Sequence, residues 1–283
     1  MAKERLTRKE QREQAREKAK QLMAEQAKKD KRTKRYLQFG ILGTAVAIAL
    51  IVVLVIANQK PPAPQQNPAN MATDAVVLEG DAQVVPSAAI PVGGAPEILT
   101  PNPDKVNVAI YLDYLCPFCG QFEKTETEDL LKYMKNGDIV LQYFPVGMLG
   151  QYSITASNAS ACVASLEPDK WWKANNAIFS NQPEEAVGQG MQEKSAVKYL
   201  KKSLLDVGLS QATLDCVSDN RYRDWVIASS ENALTKPLPN SDIQKLAHTP
   251  TVIVDGVELT DNWVQDSNAL NNAIESAKAA KTK

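Results

Sequence analysis

Two cysteines separated by two residues, Cys116 and Cys119, have the clearest capacity for chemistry in this sequence. They lie in a CPFC stretch, between an apolar run that predicts a strand at 106–112 and a segment that predicts a helix at 120–134. A CxxC motif between a strand and a helix is typical of a dithiol that cycles with a disulfide. Thiol-disulfide exchange is therefore the first chemistry to consider.

The start of the predicted helix gives a physical reason for a reactive thiol. Pro117 suits the first helical position, where a missing N–H group costs no hydrogen bond. Cys116 then becomes the N-cap residue, and we expect its sulfur to accept hydrogen bonds from the N–H groups of Phe118 and Cys119. Because those donors and the helix macrodipole favour a thiolate, we predict Cys116 as nucleophile and leaving group. Cys119, one turn into the helix, is predicted to be buried and to resolve the mixed disulfide.

Two other interpretations of the CPFC motif are structural. A zinc site would need further ligands at short spacing, and the remaining candidates, Cys162, Cys216 and His248, form no second pair of that kind. A static disulfide within the motif fits the strand-turn-helix context less well than a redox pair does. We therefore predict no metal site and no cofactor other than the redox-active disulfide.

An apolar stretch near the N-terminus divides the chain. Residues 1–35 contain 14 Lys and Arg against 6 Asp and Glu, whereas the whole chain has a net charge of −1. Residues 39–57 carry no charge, and a helix of that length spans a hydrocarbon core of about 30 Å. We predict a basic cytoplasmic tail at 1–35, a transmembrane helix at 36–58 and an extracytoplasmic remainder. A cleaved signal peptide is the alternative, but its charged and apolar regions would both be too long.

The composition around this predicted helix suggests two connecting roles. The basic tail would enforce the membrane topology, which we favour over a patch for nucleic acid or anionic lipid, so no nucleic-acid partner is expected. After the helix, a stretch rich in Pro, Ala, Val and Gln predicts an extracytoplasmic tether at 59–100. Within it, residues 75–78 and 83–85 are candidates for short strands at the edge of the following domain.

The remaining residues, 101–283, predict one α/β domain. The first strand and helix are followed by an apolar strand at 139–144, which completes a β-α-β unit. Helical patterns then dominate an insertion at about 152–247. Two strands around an Asp-Gly turn at 251–259 and a helix at 267–278 end the chain. This order predicts a thioredoxin fold with an inserted helical domain.

Three stretches of sequence resemble a known family. They are YLDYLCPFCGQFE around the cysteines, WWKANNAIFSNQP in the helical part and HTPTVIVDG near the end. In this order they resemble the DsbA-like thiol-disulfide oxidoreductases of the thioredoxin superfamily, of the membrane-anchored type found in Gram-positive and actinobacterial cell envelopes. The resemblance implies a single-pass protein of the cell membrane whose extracytoplasmic domain introduces disulfides into exported, unfolded or reduced proteins. It also implies a membrane quinone-linked partner that reoxidises the enzyme.

Two further pairs of residues are singled out, Thr249–Pro250 by the resemblance and Cys162–Cys216 by their own place in the sequence. Thr249 and Pro250 match the cis-proline loop of the family, where the Thr249 backbone would hold an extended substrate peptide as an added strand. An ordinary proline at the start of a strand is the alternative. Cys162 and Cys216 are expected to form a structural disulfide rather than a second redox pair, because neither belongs to a CxxC motif and the compartment is oxidising.

Three positions depart from the family pattern. Phe118 occupies the position where DsbA often has His, so a positive neighbour for the thiolate is missing. Ile110 lies where relatives often have a buried acid, and Glu123 is expected either to replace that acid as a proton carrier or, as we favour, to be a solvated helix carboxylate. His248 occupies a position where many relatives have Gly; it would either tune the sulfurs or lie exposed in its loop.

These observations together predict a monomeric oxidase. The same fold also serves disulfide reductases and isomerases, which form the first alternative. Isomerases of this kind are usually dimers, and no extra dimerisation domain is visible in the sequence. A redox-inactive tethered chaperone or binding module is the second alternative, and the intact CPFC motif argues against it.

Overall fold

The computed structural model describes residues 67–183, 186, 190–259, 266 and 268–282. Its strands are β1 (Val76–Glu79), β2 (Gln83–Val84), β3 (Val106–Leu112), β4 (Ile139–Pro145), β5 (Thr251–Val254) and β6 (Val257–Glu258). Its α-helices are α1 (Pro117–Lys135), α2 (Gln151–Leu166), α3 (Trp171–Ser180), α4 (Glu193–Ser203), α5 (Gln211–Ser218), α6 (Arg223–Thr235) and α7 (Ala269–Lys281). From β3 onward the order is β-α-β, a run of helices, and β-β-α. This is the thioredoxin fold with a helical insertion that the sequence predicts.

The strands form one six-stranded sheet in the order β2-β1-β4-β3-β5-β6. Strand β3 is parallel to β4 and antiparallel to β5. All seven residues of β3 and all seven of β4 are buried, because other elements cover both faces of the sheet at these strands. Helix α1 crosses from the end of β3 to the start of β4. The cysteine motif therefore lies at the carboxyl end of an inner strand.

Alternate residues of β3 supply two separate cores. Val108 and Ile110 point to one face, where they pack with buried side chains of α1 and α7. Tyr111 points to the other face and stacks on Phe144, with ring centroids 4.2 Å apart. The strand that carries the cysteine motif is thus fixed from both sides.

Helix α2 is the centre of the helical insertion. Most of its residues are buried, and many of them are Ala or Ser, which allow neighbouring helices to approach closely. Helices α3 to α6 all contact it. Residues 211–235 form two helices, α5 and α6, and not one continuous helix. They separate near Asn220, whose left-handed backbone (φ 47°) cannot continue an α-helix.

The folded unit begins earlier than predicted. Strand β1 pairs antiparallel with β4, and β2 pairs with β1, so the two short strands expected in this stretch form. Val76 is fully buried, and Asn70 Nδ2 donates a hydrogen bond of 2.8 Å to the Ala164 carbonyl of α2. The tether predicted at 59–100 is therefore wrong from residue 67 onward. Val76, Val77 and Leu78 are buried as part of the sheet, whereas Val92 and Ile98 further along this stretch are exposed.

The predicted basic tail at 1–35 and transmembrane helix at 36–58 lie outside the described residues. In the part of the chain that the structure describes, no helix combines the length and apolar character needed to cross a membrane. The membrane topology stays a prediction.

Candidate active site

The cysteine motif forms the junction between β3 and α1. Helix α1 begins at Pro117, so Cys116 is its N-cap residue and has an extended backbone (φ −71°, ψ 119°). Cys116 and Cys119 are both free thiols and both are buried. The Cys116 thiol donates a hydrogen bond of 3.2 Å to the Thr249 carbonyl oxygen, whereas the Asp113 N–H group donates to Cys119 Sγ at 3.4 Å. The two sulfurs therefore have different surroundings.

These surroundings give the two thiols opposite acidities. A hydrogen bond from Cys119 is the main cause that lowers the pKa of Cys116 from 9.0 to about 6, with burial acting in the other direction. The Thr249 side chain and the N–H groups of Phe118 and Cys119 also lower this pKa. Burial is the main cause that raises the pKa of Cys119 well above 9.0. At neutral pH Cys116 is thus largely a thiolate while Cys119 keeps its proton, which suits a nucleophile and a resolving thiol.

The start of α1 differs in one respect from the predicted helix cap. The Cys116 side chain makes no capping hydrogen bond to the N–H groups at the start of α1, because its thiol is directed to the Thr249 carbonyl. The N–H groups of Phe118 and Cys119 still lower the Cys116 pKa, since their dipoles point at the helix start and favour negative charge there. The expected effect on acidity is therefore present without the expected bond geometry.

The loop before β5 reaches the cysteine motif because of strand pairing. Strand β5 runs antiparallel to β3 with Thr251 opposite Tyr111, so the preceding residues arrive at the carboxyl end of β3. The Thr249–Pro250 peptide bond is cis, and Pro250 is buried. This is the placement that the family resemblance implies for these two residues, with the Thr249 carbonyl directed at the first cysteine.

His248, in the same loop, lies away from the sulfurs. Its side chain is 62% exposed, and its Nε2 atom is 3.5 Å from Glu258 Oε1 in β6. Among the described residues, no hydrogen bond joins it to Cys116 or Cys119. Of the two roles expected for His248, the structure agrees with the exposed loop residue.

Gln182, in the segment after α3, connects the helical insertion to the active site. Its Nε2 group donates hydrogen bonds of 3.0 Å to the carbonyl oxygens of Tyr114 and Cys116. A Cβ atom on Gly120 would overlap Gln182 Oε1, so a larger side chain after the motif would displace this contact. Phe118 is 57% exposed and presents an apolar ring beside Cys116. Gln182 was not predicted as a site residue, although it lies in the WWKANNAIFSNQP stretch.

Glu123 is buried within the protein. Its carboxylate accepts hydrogen bonds from the Tyr143 hydroxyl at 2.7 Å, the Thr127 hydroxyl at 3.1 Å and the Asn175 side-chain amide at 3.2 Å. Burial is the main cause that raises the pKa of Glu123 to about 7. The favoured prediction of a solvated carboxylate is wrong, because Glu123 follows Cys119 by one turn on the inner face of α1.

Asp113 was also missed by the sequence reasoning. Its carboxylate is fully buried and accepts four hydrogen bonds. The donors are Ser153 Oγ at 2.5 Å, Met148 N at 2.7 Å, Leu115 N at 2.8 Å and Leu149 N at 3.0 Å. Burial raises the pKa of Asp113, and these donors oppose the rise. The available signal was a carboxylate in an otherwise apolar strand end, where burial requires several partners.

The other two cysteines form a disulfide that joins α2 to α5. The Cys162–Cys216 bond has an S–S distance of 2.04 Å, and both residues are fully buried. This is the pairing expected from the sequence. In the described ranges, no three His, Cys, Asp or Glu side chains are grouped so that they could hold a metal ion.

The Glu123→Gln variant should show a different dependence of stability on pH. The wild-type carboxyl has a pKa of about 7 in the folded protein against 4.5 ordinarily, so the folded state prefers its neutral form. The resulting stabilisation is complete below about pH 4.5 and is lost as pH rises through about 7. Since one pKa unit corresponds to about 1.4 kcal/mol, wild type should lose roughly 2 to 3 kcal/mol between pH 5 and 8 relative to Glu123→Gln.

Urea unfolding of both proteins at pH 5 and pH 8 measures this difference. Glu128→Gln is the matched control, because Glu128 lies on the same helix but is exposed. A constant difference in unfolding free energy between wild type and Glu123→Gln at the two pH values would show that Glu123 does not titrate in this range.

The sequence matches one family model over most of the domain. Residues 102–276 match the model described as thioredoxin. A curated relative, the Na(+)/H(+) antiporter NhaA 3 of Salinispora tropica, is 24% identical over 158 residues. The match covers 55% of this chain and 21% of that protein, so the chain spans about a fifth of the length of this relative.

Two solved structures have folds similar to that of this chain. BdbD from Bacillus subtilis, in its oxidised form, has a TM-score of 0.53 and 19% identity, over 76% of this chain and 97% of that one. MdbA, a thiol-disulfide oxidoreductase from Corynebacterium matruchotii, has a TM-score of 0.50 and 19% identity, over 73% and 93%. At these identities the similarity establishes a shared fold.

Proposed function

We propose that this chain works as a DsbA-type oxidase. It belongs to the thioredoxin family and is a thiol-disulfide oxidoreductase. As an oxidase it introduces disulfides into exported proteins. One observation carries the proposal: Cys116, with a pKa lowered to about 6, lies at the start of α1 beside a buried Cys119 whose pKa is raised. A stabilised Cys116 thiolate favours the reduced enzyme, and when the reduced form is favoured, the disulfide form is a strong oxidant for its substrates.

The reaction begins with the Cys116–Cys119 disulfide. A substrate thiolate attacks Cys116 Sγ, the disulfide between the two cysteines breaks, and Cys119 leaves and takes up a proton. The product is a mixed disulfide between the substrate and Cys116. A second substrate thiolate then attacks the substrate sulfur of this bond, so the substrate disulfide forms and Cys116 leaves as the stabilised thiolate.

Two features beside Cys116 support binding of an extended peptide. The Thr249 backbone faces the Cys116 sulfur, and an incoming peptide can add alongside it as a strand. The exposed ring of Phe118 offers apolar contact next to the same sulfur. Unfolded chains present both extended backbone and apolar side chains, so these features favour reduced, unfolded proteins as substrates.

Glu123 has the properties of a proton carrier for the second cysteine. Cys119 must gain a proton when it leaves, because its pKa is raised well above 9.0. A buried carboxyl with a pKa of about 7, one helical turn away on the same face of α1, can supply a proton near neutral pH. We assign this role to Glu123 in place of the acid that relatives carry at the position of Ile110.

The proposed location is the outer side of the cell membrane. The Cys162–Cys216 disulfide supports an oxidising compartment. The apolar residues 39–57 behind a basic tail support a single-pass anchor with the N-terminus in the cytoplasm. A monomer reoxidised by a membrane quinone-linked partner, with no nucleic acid involved, completes the proposal.

The reduction potential tests the direction of the reaction. DsbA lies at roughly −120 mV and thioredoxin at roughly −270 mV, a difference of about 7 kcal/mol. The low Cys116 pKa moves this protein towards the oxidising value, and the absence of a positive charge at Phe118 moves it back. We expect a value between these limits, measured by equilibration with glutathione buffers and mass tagging of free thiols.

Two variants at position 118 sharpen this test. Phe118→His should raise the potential because a protonated imidazole stabilises the thiolate. Phe118→Leu, which keeps an apolar side chain, should leave it nearly unchanged. A wild-type potential at or below that of thioredoxin would favour a reductase instead. A potential in range together with no oxidation of a reduced protein would favour the tethered binding module, which works without redox turnover.

A further inference from the structure

Asp113 contacts both active-site cysteines through its backbone. Its N–H group donates a hydrogen bond to Cys119 Sγ at 3.4 Å. Its carbonyl oxygen accepts one from the Cys116 N–H group at 3.0 Å, which closes the turn that leads into α1. The position of Asp113 therefore determines where the two sulfurs lie relative to β3.

The carboxylate of Asp113 reaches a different part of the chain. Oδ1 accepts from Leu115 N within the turn and from Ser153 Oγ in α2. Oδ2 accepts from the N–H groups of Met148 and Leu149, in the loop between β4 and α2. Three of these four donors are backbone N–H groups, which cannot accept a hydrogen bond in return, so only an acceptor with several lone pairs satisfies them all. One buried side chain thus joins the cysteine turn to the β4–α2 loop.

This loop carries an apolar side chain at the surface. The Leu149 side chain is 48% exposed, although its N–H group is held by a fully buried carboxylate. Asp113, only three residues before Cys116, holds the backbone N–H group of this leucine and so ties the loop to the cysteine turn. Exposed Phe118 lies in the motif itself. An unfolded substrate that reaches Cys116 can therefore meet apolar contacts from the motif and from the loop.

We propose that Asp113 is a positioning residue for protein substrates, which holds Leu149 in a fixed relation to Cys116. The proposal rests on the proposed oxidase function and adds a specificity determinant to the same site. A small dithiol needs only the Cys116–Cys119 disulfide, whereas an unfolded protein also uses the apolar contacts of Phe118 and Leu149. Loss of the carboxylate should therefore reduce activity on proteins more than activity on small thiols.

Asp113→Asn tests the proposal because an amide has one acceptor oxygen and cannot satisfy both pairs of donors. The assay uses the full chain in detergent micelles, with glutathione disulfide as the oxidant that regenerates the Cys116–Cys119 disulfide. It compares oxidation of reduced, unfolded ribonuclease A with oxidation of dithiothreitol, each corrected for the rate without enzyme. We expect kcat/KM for ribonuclease A to fall about tenfold because KM rises. The loss of rate with dithiothreitol should be several times smaller than that. Asp74→Asn is the matched control; Asp74 is a partly buried carboxylate bonded to Trp225 Nε1 at 3.1 Å, and both rates should stay near wild type.

A double-mutant cycle with Leu149→Ala separates positioning from a general structural effect. If Asp113 acts through Leu149, then Leu149→Ala alone should lower kcat/KM for ribonuclease A in the same sense. The double variant should lose little more than the more damaging single variant. Ser153→Ala, which keeps the carboxylate and its three backbone donors, should show a smaller version of the Asp113→Asn defect.

Several outcomes would overturn the proposal. Equal losses on both substrates for Asp113→Asn, or additive losses in the double variant, would show that Asp113 does not act through the loop. If Asp113→Asn fails to fold, Leu149→Ala still decides: an unchanged preference for ribonuclease A over dithiothreitol would refute the proposal. Failure of the wild-type protein to oxidise ribonuclease A would instead refute the proposed function.

Discussion

Replacing Cys119 by alanine is expected to leave substrates covalently attached to Cys116. The Cys116 thiolate can still attack a disulfide in scrambled ribonuclease A, whose second sulfur leaves as a thiolate. Without Cys119 no thiol in the enzyme can resolve the mixed disulfide, so the adduct should accumulate on non-reducing gels. Oxidase turnover should fall at least about a thousandfold, because the enzyme can no longer form its own disulfide.

Cys116→Ala is the matched control for this trap. The remaining Cys119 is fully buried and keeps its proton at neutral pH, so it should form no adduct. In Cys119→Ala the hydrogen bond from Cys119 is lost, so the Cys116 pKa should lie above 6 but below 9.0. The rate of adduct formation should rise as the pH passes through that pKa. Equal trapping by the two variants would contradict the assigned roles, since it would make both thiols nucleophiles.

Features encoded by neighbouring residues could be predicted from the sequence. The CPFC helix start, with proline at the first helical position and cysteine as N-cap, depends on adjacent residues only. The same is true of β5 and β6 around the Asp-Gly turn, where Asp255 and Gly256 both have positive φ. The domain boundary was harder to predict from the sequence, because β1 is stabilised by pairing with β4, far along the chain, and β2 by pairing with β1.

Site residues supplied by distant elements were harder to predict. Gln182 contacts the active site across 66 residues of sequence, and the WWKANNAIFSNQP stretch around it does not show which of its residues reaches the cysteines. The burial of Glu123 depends on Asn175 in the helical insertion and on Tyr143 in β4, so the pattern of α1 alone gave the wrong answer. Asp113 is similar, because three of its four donors lie in a loop and a helix that follow it by more than thirty residues. A buried polar side chain requires hydrogen-bond partners, and these partners can be identified only when the fold is known.

Removing the Cys162–Cys216 disulfide is expected to give the largest loss of stability while sparing catalysis. The bond closes a loop with a sequence separation of 54 residues, which constrains the unfolded chain by about 4 kcal/mol in the chain-entropy model. It joins α2, the centre of the helical insertion, to α5, and both sulfurs are away from the solvent. Replacement of both cysteines by alanine avoids leaving a hydroxyl in this apolar site.

The measurement is urea unfolding of Cys162→Ala/Cys216→Ala in a Cys116→Ala/Cys119→Ala background, which prevents thiol scrambling. The unfolding free energy should fall by about 4 kcal/mol relative to that background, within a usual range of roughly 2 to 5 kcal/mol. With the CPFC motif intact, the Cys162→Ala/Cys216→Ala variant should still oxidise ribonuclease A at a rate close to wild type below its unfolding transition, because neither cysteine contacts Cys116 or Thr249. A folded variant without oxidase activity would instead make this disulfide a redox relay to the active site.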